Sequence, residues 1–117
     1  MAETLVTETD WPIQYKAISA LTGANTEIVA ADALHIIRVL AISFVTDLAG
    51  SVLFESGAGP TTLVGAMDFP DNGGLVWNYN PRGWFETTVI NAALNADITT
   101  STINGCLVYQ LVEPNIT

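Results

Sequence analysis

Positive charge is what this sequence has least of. Twelve carboxylates face only Lys16, Arg38 and Arg82, for a formal net charge of −9. Phosphate backbones and anionic lipid repel such a chain, so neither nucleic acid nor a membrane is an expected partner. Cysteine is nearly absent too. Cys106 stands alone, forms no internal disulfide and indicates no oxidising compartment. With one histidine, His35, and one cysteine, a zinc site of the usual kind cannot be built. No Gly-x-Ser-x-Gly elbow exists to give His35 a nucleophile to serve, and His35 reads as a strand-end or interface polar residue. The longest apolar stretch, Ala33 to Val45, is interrupted by His35 and Arg38 and is too short to span a bilayer. The N-terminus lacks the basic region and apolar run of a signal peptide, so the expectation is a soluble chain made in the cytoplasm.

Charge of either sign is scarce, at 13% of residues against about 25% in an ordinary soluble domain. Half the residues are apolar. With 117 residues the chain allows one domain, which buries roughly 65% of its extended-chain surface. Thr, Ser, Asn, Gly and Ala cover much of the remainder. A surface poor in charge suits burial against other chains, as in obligate interfaces. The scattered carboxylates read as solubility charges.

The pattern along the chain is that of strands. Residues Met1 to Asp10 lack apolar periodicity and read as an arm that ends at Trp11-Pro12. The domain is expected over 13–112, with a tail over 113–117. Strands are expected over Ile13–Ala20, Asn25–Ala30, Leu34–Thr46, Ser51–Glu55, Thr61–Val64, Leu75–Tyr79, Leu94–Thr99 and Thr102–Val112, with a further extension over Trp84–Thr88. In Leu34–Thr46, alternation puts Ile37, Val39, Ala41, Ser43 and Val45 on one face and Leu34, Ile36, Arg38, Leu40, Ile42 and Phe44 on the other, which predicts a strand buried on both sides. Turns are expected at Leu21–Asn25, Asp47–Gly50, Gly57–Pro60, Asp68–Gly74 and Asn80–Gly83. Val89–Ala93 has room for one helical turn. About eight short strands with turns every 8 to 12 residues predict an all-β domain, a single antiparallel β-sandwich of jelly-roll-like form.

No catalytic, cofactor or metal residue is expected. Asp68, Asp71 and Asn72 offer oxygens to calcium, but turn formation explains them better. Gly57-Ala-Gly-Pro60 lacks the Gly-Lys-Ser/Thr of a phosphate loop. Asn115-Ile116-Thr117 matches a glycosylation sequon at the end of a chain without a secretion signal. Trp77, Tyr79, Trp84 and Phe85 cluster within nine residues. Exposed, they would stack on sugar rings; packed beneath the Asn80–Gly83 turn, they anchor the fold, with Trp84 and Phe85 as the principal anchors. Together with Trp11 and Arg82 they form the set of candidate interface residues.

Five segments carry a family resemblance: Tyr15 to Ala31, Ile37-Arg-Val-Leu40, Gly65-Ala-Met67, Asn72-Gly-Gly-Leu75 and Tyr79-Asn-Pro-Arg-Gly-Trp-Phe-Glu-Thr87. In this order they resemble a group of small tailed-phage virion proteins over roughly residues 13 to 112, and the last segment is the most specific. The resemblance implies a jelly-roll-like capsid decoration (cement) protein on the exterior of a phage head, homo-oligomeric, as a trimer in preference to a dimer. Its partners are then its own copies and the major capsid protein. Leu34-His35 stands where Gly-Lys is common, which makes this strand less basic. The alternatives are a glycan-binding tail or head-fibre module, for which exposed Trp77 or Trp84 would speak, and a small enzyme or cupin-like metal site, against which the lone histidine speaks.

Overall fold

The last strand organises the molecule. A computed structural model describes residues 12–57 and 60–114; the Met1–Asp10 arm, Trp11 and the Asn115–Thr117 sequon lie outside them. Among the described residues seven strands occur, in the order β1 (Ile13–Val29), β2 (Ile36–Thr46), β3 (Gly50–Ser56), β4 (Thr61–Phe69), β5 (Gly74–Trp77), β6 (Phe85–Glu86) and β7 (Leu94–Val112). All pairings are antiparallel. The fold is therefore all-β, as expected.

One side of β7 pairs with β1 along nearly its whole length, from Ile13↔Gln110 to Val29↔Leu94. On its other side the N-terminal half takes β3 and the C-terminal half takes β2. β4 extends beyond β3, while β5 and β6 extend beyond β2. The curled sheet thus has two wings that share β1 and β7: wing one is β4-β3-β7-β1, and wing two is β5/β6-β2-β7-β1. The curl sits where both shared strands are irregular. Ala20, Gly23 and Asn25 in β1 and Thr100 in β7 have positive φ, and the β1 register shifts between Ile18, Leu21 and Gly23. Such irregularities bend strands and let one ribbon serve two layers.

The wings close on Ile37, Val39, Ile42 and Phe44 of β2, Val52 and Phe54 of β3, Leu94, Ala96, Ile98, Ile103 and Leu107 of β7, and Ile18 and Ile28 of β1. Aromatic rings join the layers: Phe44 meets Phe54 and Phe69 edge to face, with centroids 6.1 and 5.4 Å apart. Offset and T-shaped rings add directional attraction to area burial.

Three expectations need correction. The strands are not all short: two are long, because the Leu21–Asn25 and Thr99–Thr102 segments are absorbed as bends within β1 and β7. Alternation fails inside β2. A bulge between Val39 and Ala41 inserts Leu40, so Ile37 and Val39 share the core face with Ile42 and Phe44, and Arg38 shares the outer face with Ala41 and Ser43. The region 89–93 forms bends and a turn, with Asn91 at φ 58°, in place of a helical turn.

Candidate interaction surface

The Asn80–Gly83 turn is built by its own side chains. Asn80 Oδ1 accepts a hydrogen bond from the Arg82 amide at 3.0 Å, and the Gly83 amide donates to the Asn80 carbonyl at 2.9 Å. Pro81 favours the backbone angle such a turn requires. The turn is tied to the bulge in β2: the Asn80 amide donates to the Leu40 carbonyl and the Trp84 amide to the Val39 carbonyl, both at 2.8 Å. Gly83 has φ 84° and lies against the stem of Arg38. Arg38 is nearly buried between Gln110 and Glu86 in register, with Glu86 at 3.5 Å.

From this turn the candidate aromatics run inward. Trp84 stacks on Trp77 at 5.3 Å and donates its indole N–H to the Asn78 carbonyl at 2.8 Å. Trp77 meets Phe85 edge to face, and Phe85 stacks on Phe54 at 5.4 Å. Phe85 and Trp77 are thus committed to the core edge, while Tyr79, Arg82 and Trp84 reach solvent. The structure brings together five of the six candidate residues; Trp11 lies outside the described residues.

The two outer faces differ in chemistry. On wing one, Glu27, Asn95, Glu55 and Thr62 form one row across four strands, and Asp68 and Asp97 stand on flanking positions. On wing two, Tyr15, Val108 and Ala41 form one row, and Ala17, Cys106, Ser43 and Val76 the next. Asn104, Val45 and Gly74 complete a third. These three rows contain no charged residue. Tyr15 is 67% exposed, Val76 70% and Val45 57%. Beside Val76 lies a shallow depression of about 220 Å³ lined in part by Ala41, Ser43, Val76, Tyr79 and Cys106. The uncharged face ends at the row of Ile13, Gln110, Arg38 and Glu86, the last three polar.

Residue-by-residue reading missed this face, because its members are small and each is unremarkable alone. The signal was the run Ala41-Ile-Ser-Phe-Val45, in which every second residue is small or apolar and uncharged; the bulge had to be known before the matching rows on β1, β5 and β7 could be assembled.

Of the remaining sequence candidates, Asp71, Asp47 and His35 make contacts within the chain, while Ala58, Gly59 and the Asn115–Thr117 sequon lie outside the described residues. Asp71 Oδ1 accepts the Ala49 amide at 2.6 Å, and Thr46 Oγ1 bridges the Pro70 carbonyl and the Gly73 amide at 3.0 Å each, so the Asp68–Gly74 region is clamped to the β2–β3 connection. Asp47 Oδ1 accepts the Thr102 amide at 2.8 Å and the Ser101 hydroxyl at 3.2 Å, which ties that connection to the bend of β7; these bonds hold the Asp47 carboxyl below its ordinary pKa. His35 Nδ1 lies 2.8 Å from Asp32 Oδ1, which also accepts the Leu34 amide, and the His35 contact foremost lowers the pKa of Asp32. Among the described residues no three His, Cys, Asp or Glu side chains converge to hold a metal.

No family model, no curated protein and no solved structure matches the chain.

Proposed function

We propose that this protein is a structural subunit that works by binding alone, a decoration (cement) protein on the exterior of a phage head. The observation that carries the binding mechanism is the contrast between the two outer faces. Two copies that met through wing one would oppose Glu27, Asp68 and Asp97 to like charges. Two copies that met through wing two would bury Tyr15, Val45 and Val76 against uncharged neighbours, which is the composition of an oligomer interface core. A chain of net charge −9 therefore has one outer face on which self-association gains apolar burial without carboxylate repulsion. The acidic wing then faces outward and suppresses non-specific adhesion. An oligomer presents each capsid-binding contact several times, and multivalency turns weak contacts into firm attachment. The virion setting rests on the resemblance of the Tyr79–Thr87 and related segments.

Two measurements test this reading. Light scattering at micromolar concentration is expected to give a multiple of 12.4 kDa, three being the expected number. Val76→Glu and Tyr15→Glu, both at exposed positions, are expected to give folded monomers. A wild-type monomer would refute the proposal, as would oligomers that survive both substitutions. Capsids assembled without the protein should bind the wild type in cryo-EM maps and bind the monomeric variants weakly.

A further inference from the structure

Wing one holds a carboxylate whose place the binding mechanism leaves unexplained. Glu55 is 7% exposed, and its Oε1 is shielded from solvent and has no hydrogen-bond partner. Asn95 stands directly across the ladder on β7, so both side chains leave the same face. Cross-strand partners of this kind hold their Cβ atoms about 4.5–5.5 Å apart. Asn95 Oδ1 is likewise shielded and unpartnered. Its amide nitrogen sits beside Gly57, 3.0 Å from where a Cβ there would stand. Two acceptor oxygens, one of them on a carboxylate, therefore stand on cross-strand neighbours of one face, each without a hydrogen-bond partner. Glu27 of β1 completes the row, exposed and opposite Asn95.

A carboxylate oxygen that has lost water and gained no partner is unfavourable, and a counter-charge beside it relieves the cost. Among the described residues, the Lys and Arg side chains stand elsewhere. Arg38 faces Glu86, Lys16 pairs in register with Leu107 on wing two, and Arg82 sits in the turn beyond β5. A side chain from a partner protein is too bulky for a nearly buried position. A small ion is not.

We propose that Glu55, Asn95 and Glu27 form a binding site for a divalent metal cation, with calcium favoured. All three donors are hard oxygens, which suit calcium and magnesium and not the thiophilic metals. Strands about 4.8 Å apart set the two glutamates roughly 10 Å apart across Asn95. An ion seated over the amide, with oxygen distances of about 2.3–2.6 Å, lies within reach of both extended carboxylates. Calcium tolerates such an irregular set, whereas magnesium demands near-octahedral geometry. Glu55 and Asn95 are the preformed half, and exposed Glu27 closes over the ion. The bound ion would fasten the edge strand β1 to β7 and β3.

The test uses the full chain, stripped with EDTA and melted in CaCl₂, in MgCl₂ and in NaCl of equal ionic strength. A saturable rise in Tm specific to calcium is expected, with one site per chain by calorimetry. Glu55→Gln keeps the shape of the side chain and is expected to lose the rise; Glu27→Gln is expected to need more calcium for the same rise. Should Glu55→Gln fail to fold, Asn95→Ala is read in its place and is also expected to lose the rise. The proposal is overturned if calcium raises Tm no more than NaCl, or if the calcium response survives both Glu55→Gln and Glu27→Gln. It is also overturned if the wild type ignores calcium while Glu55→Gln is more stable, since Glu55 is then an uncompensated carboxyl and not a ligand.

Discussion

Gly83→Ala probes the joint between the Asn80–Gly83 turn and the β2 bulge. Gly83 has φ 84°, and alanine in a left-handed conformation costs about 1–2 kcal/mol. The added Cβ would stand 2.5 Å from Arg38 Cγ and 2.8 Å from Cδ. The Arg38 stem must then move, although it is nearly buried and its guanidinium is held by Glu86 at 3.5 Å. Overpacking of this sort adds about 1–3 kcal/mol. The sum is about 2–5 kcal/mol, and with an unfolding entropy of about 0.25 kcal/mol/K for a chain this long, Tm falls by about 8–20 °C. Thermal unfolding followed by tryptophan fluorescence reads this directly, since Trp84 and Trp77 adjoin the turn. Gly65→Ala is the control. Nothing lies within 4 Å of a Cβ at Gly65 and its φ is not positive, so the change should stay within about 1 kcal/mol of wild type. If Gly83→Ala melts no lower than Gly65→Ala, the turn does not bear on the bulge as argued.

Phe54 is fully buried and touches Phe44 and Phe85, so Phe54→Ala should cost about 3–5 kcal/mol in denaturant unfolding. Trp84 is 45% exposed; Trp84→Ala should therefore cost less, about 1–2 kcal/mol, for one ring contact and one hydrogen bond, and a loss as large as that of Phe54→Ala would contradict its placement at the rim. The folded-state pKa values of Asp32 and Asp47 are depressed. Their stabilisation is therefore present above the ordinary carboxylate range and lost as pH falls through and below it. Asp47→Ala should flatten the acid limb of stability against pH, and an unchanged limb would discount the clamp. Cys106 lies on the uncharged face, so maleimide labelling should be faster in monomeric Val76→Glu than in the oligomer; equal rates would place the interface elsewhere.

Much of this was legible in the residues. Asn80-Pro-Arg-Gly83 announces its turn because each residue supplies a local term: an Asx bond, a fixed φ, a positive φ. The β-branched run of β2 and the alternation of Thr102–Val112 announce strands for the same local reason. The two long strands were not legible, since Leu21-Thr-Gly-Ala-Asn25 carries ordinary turn chemistry, and only pairing with the distant β7 keeps it in a ladder. The bulge at Leu40 was not legible either. It is held by Asn80 and Trp84, roughly forty residues away in sequence, and one inserted residue inverts the face of everything before it. The uncharged face depends on that inversion. The Glu55–Asn95 pair depends on register between β3 and β7, which no local signal specifies.

The pairing of β1 with β7 has a mechanical consequence. Ile13 and Gln110 are cross-strand neighbours, so the described chain begins and ends at the same end of one antiparallel ribbon. Tension applied between those two ends loads the ladder one pair at a time and unzips it at low force. Tension applied from one outer face to the other crosses the core and strains many packed side chains together. On the proposed function, load is therefore best borne through the faces and loops, and the Ile13–Gln110 end of the ribbon is the end to leave unloaded.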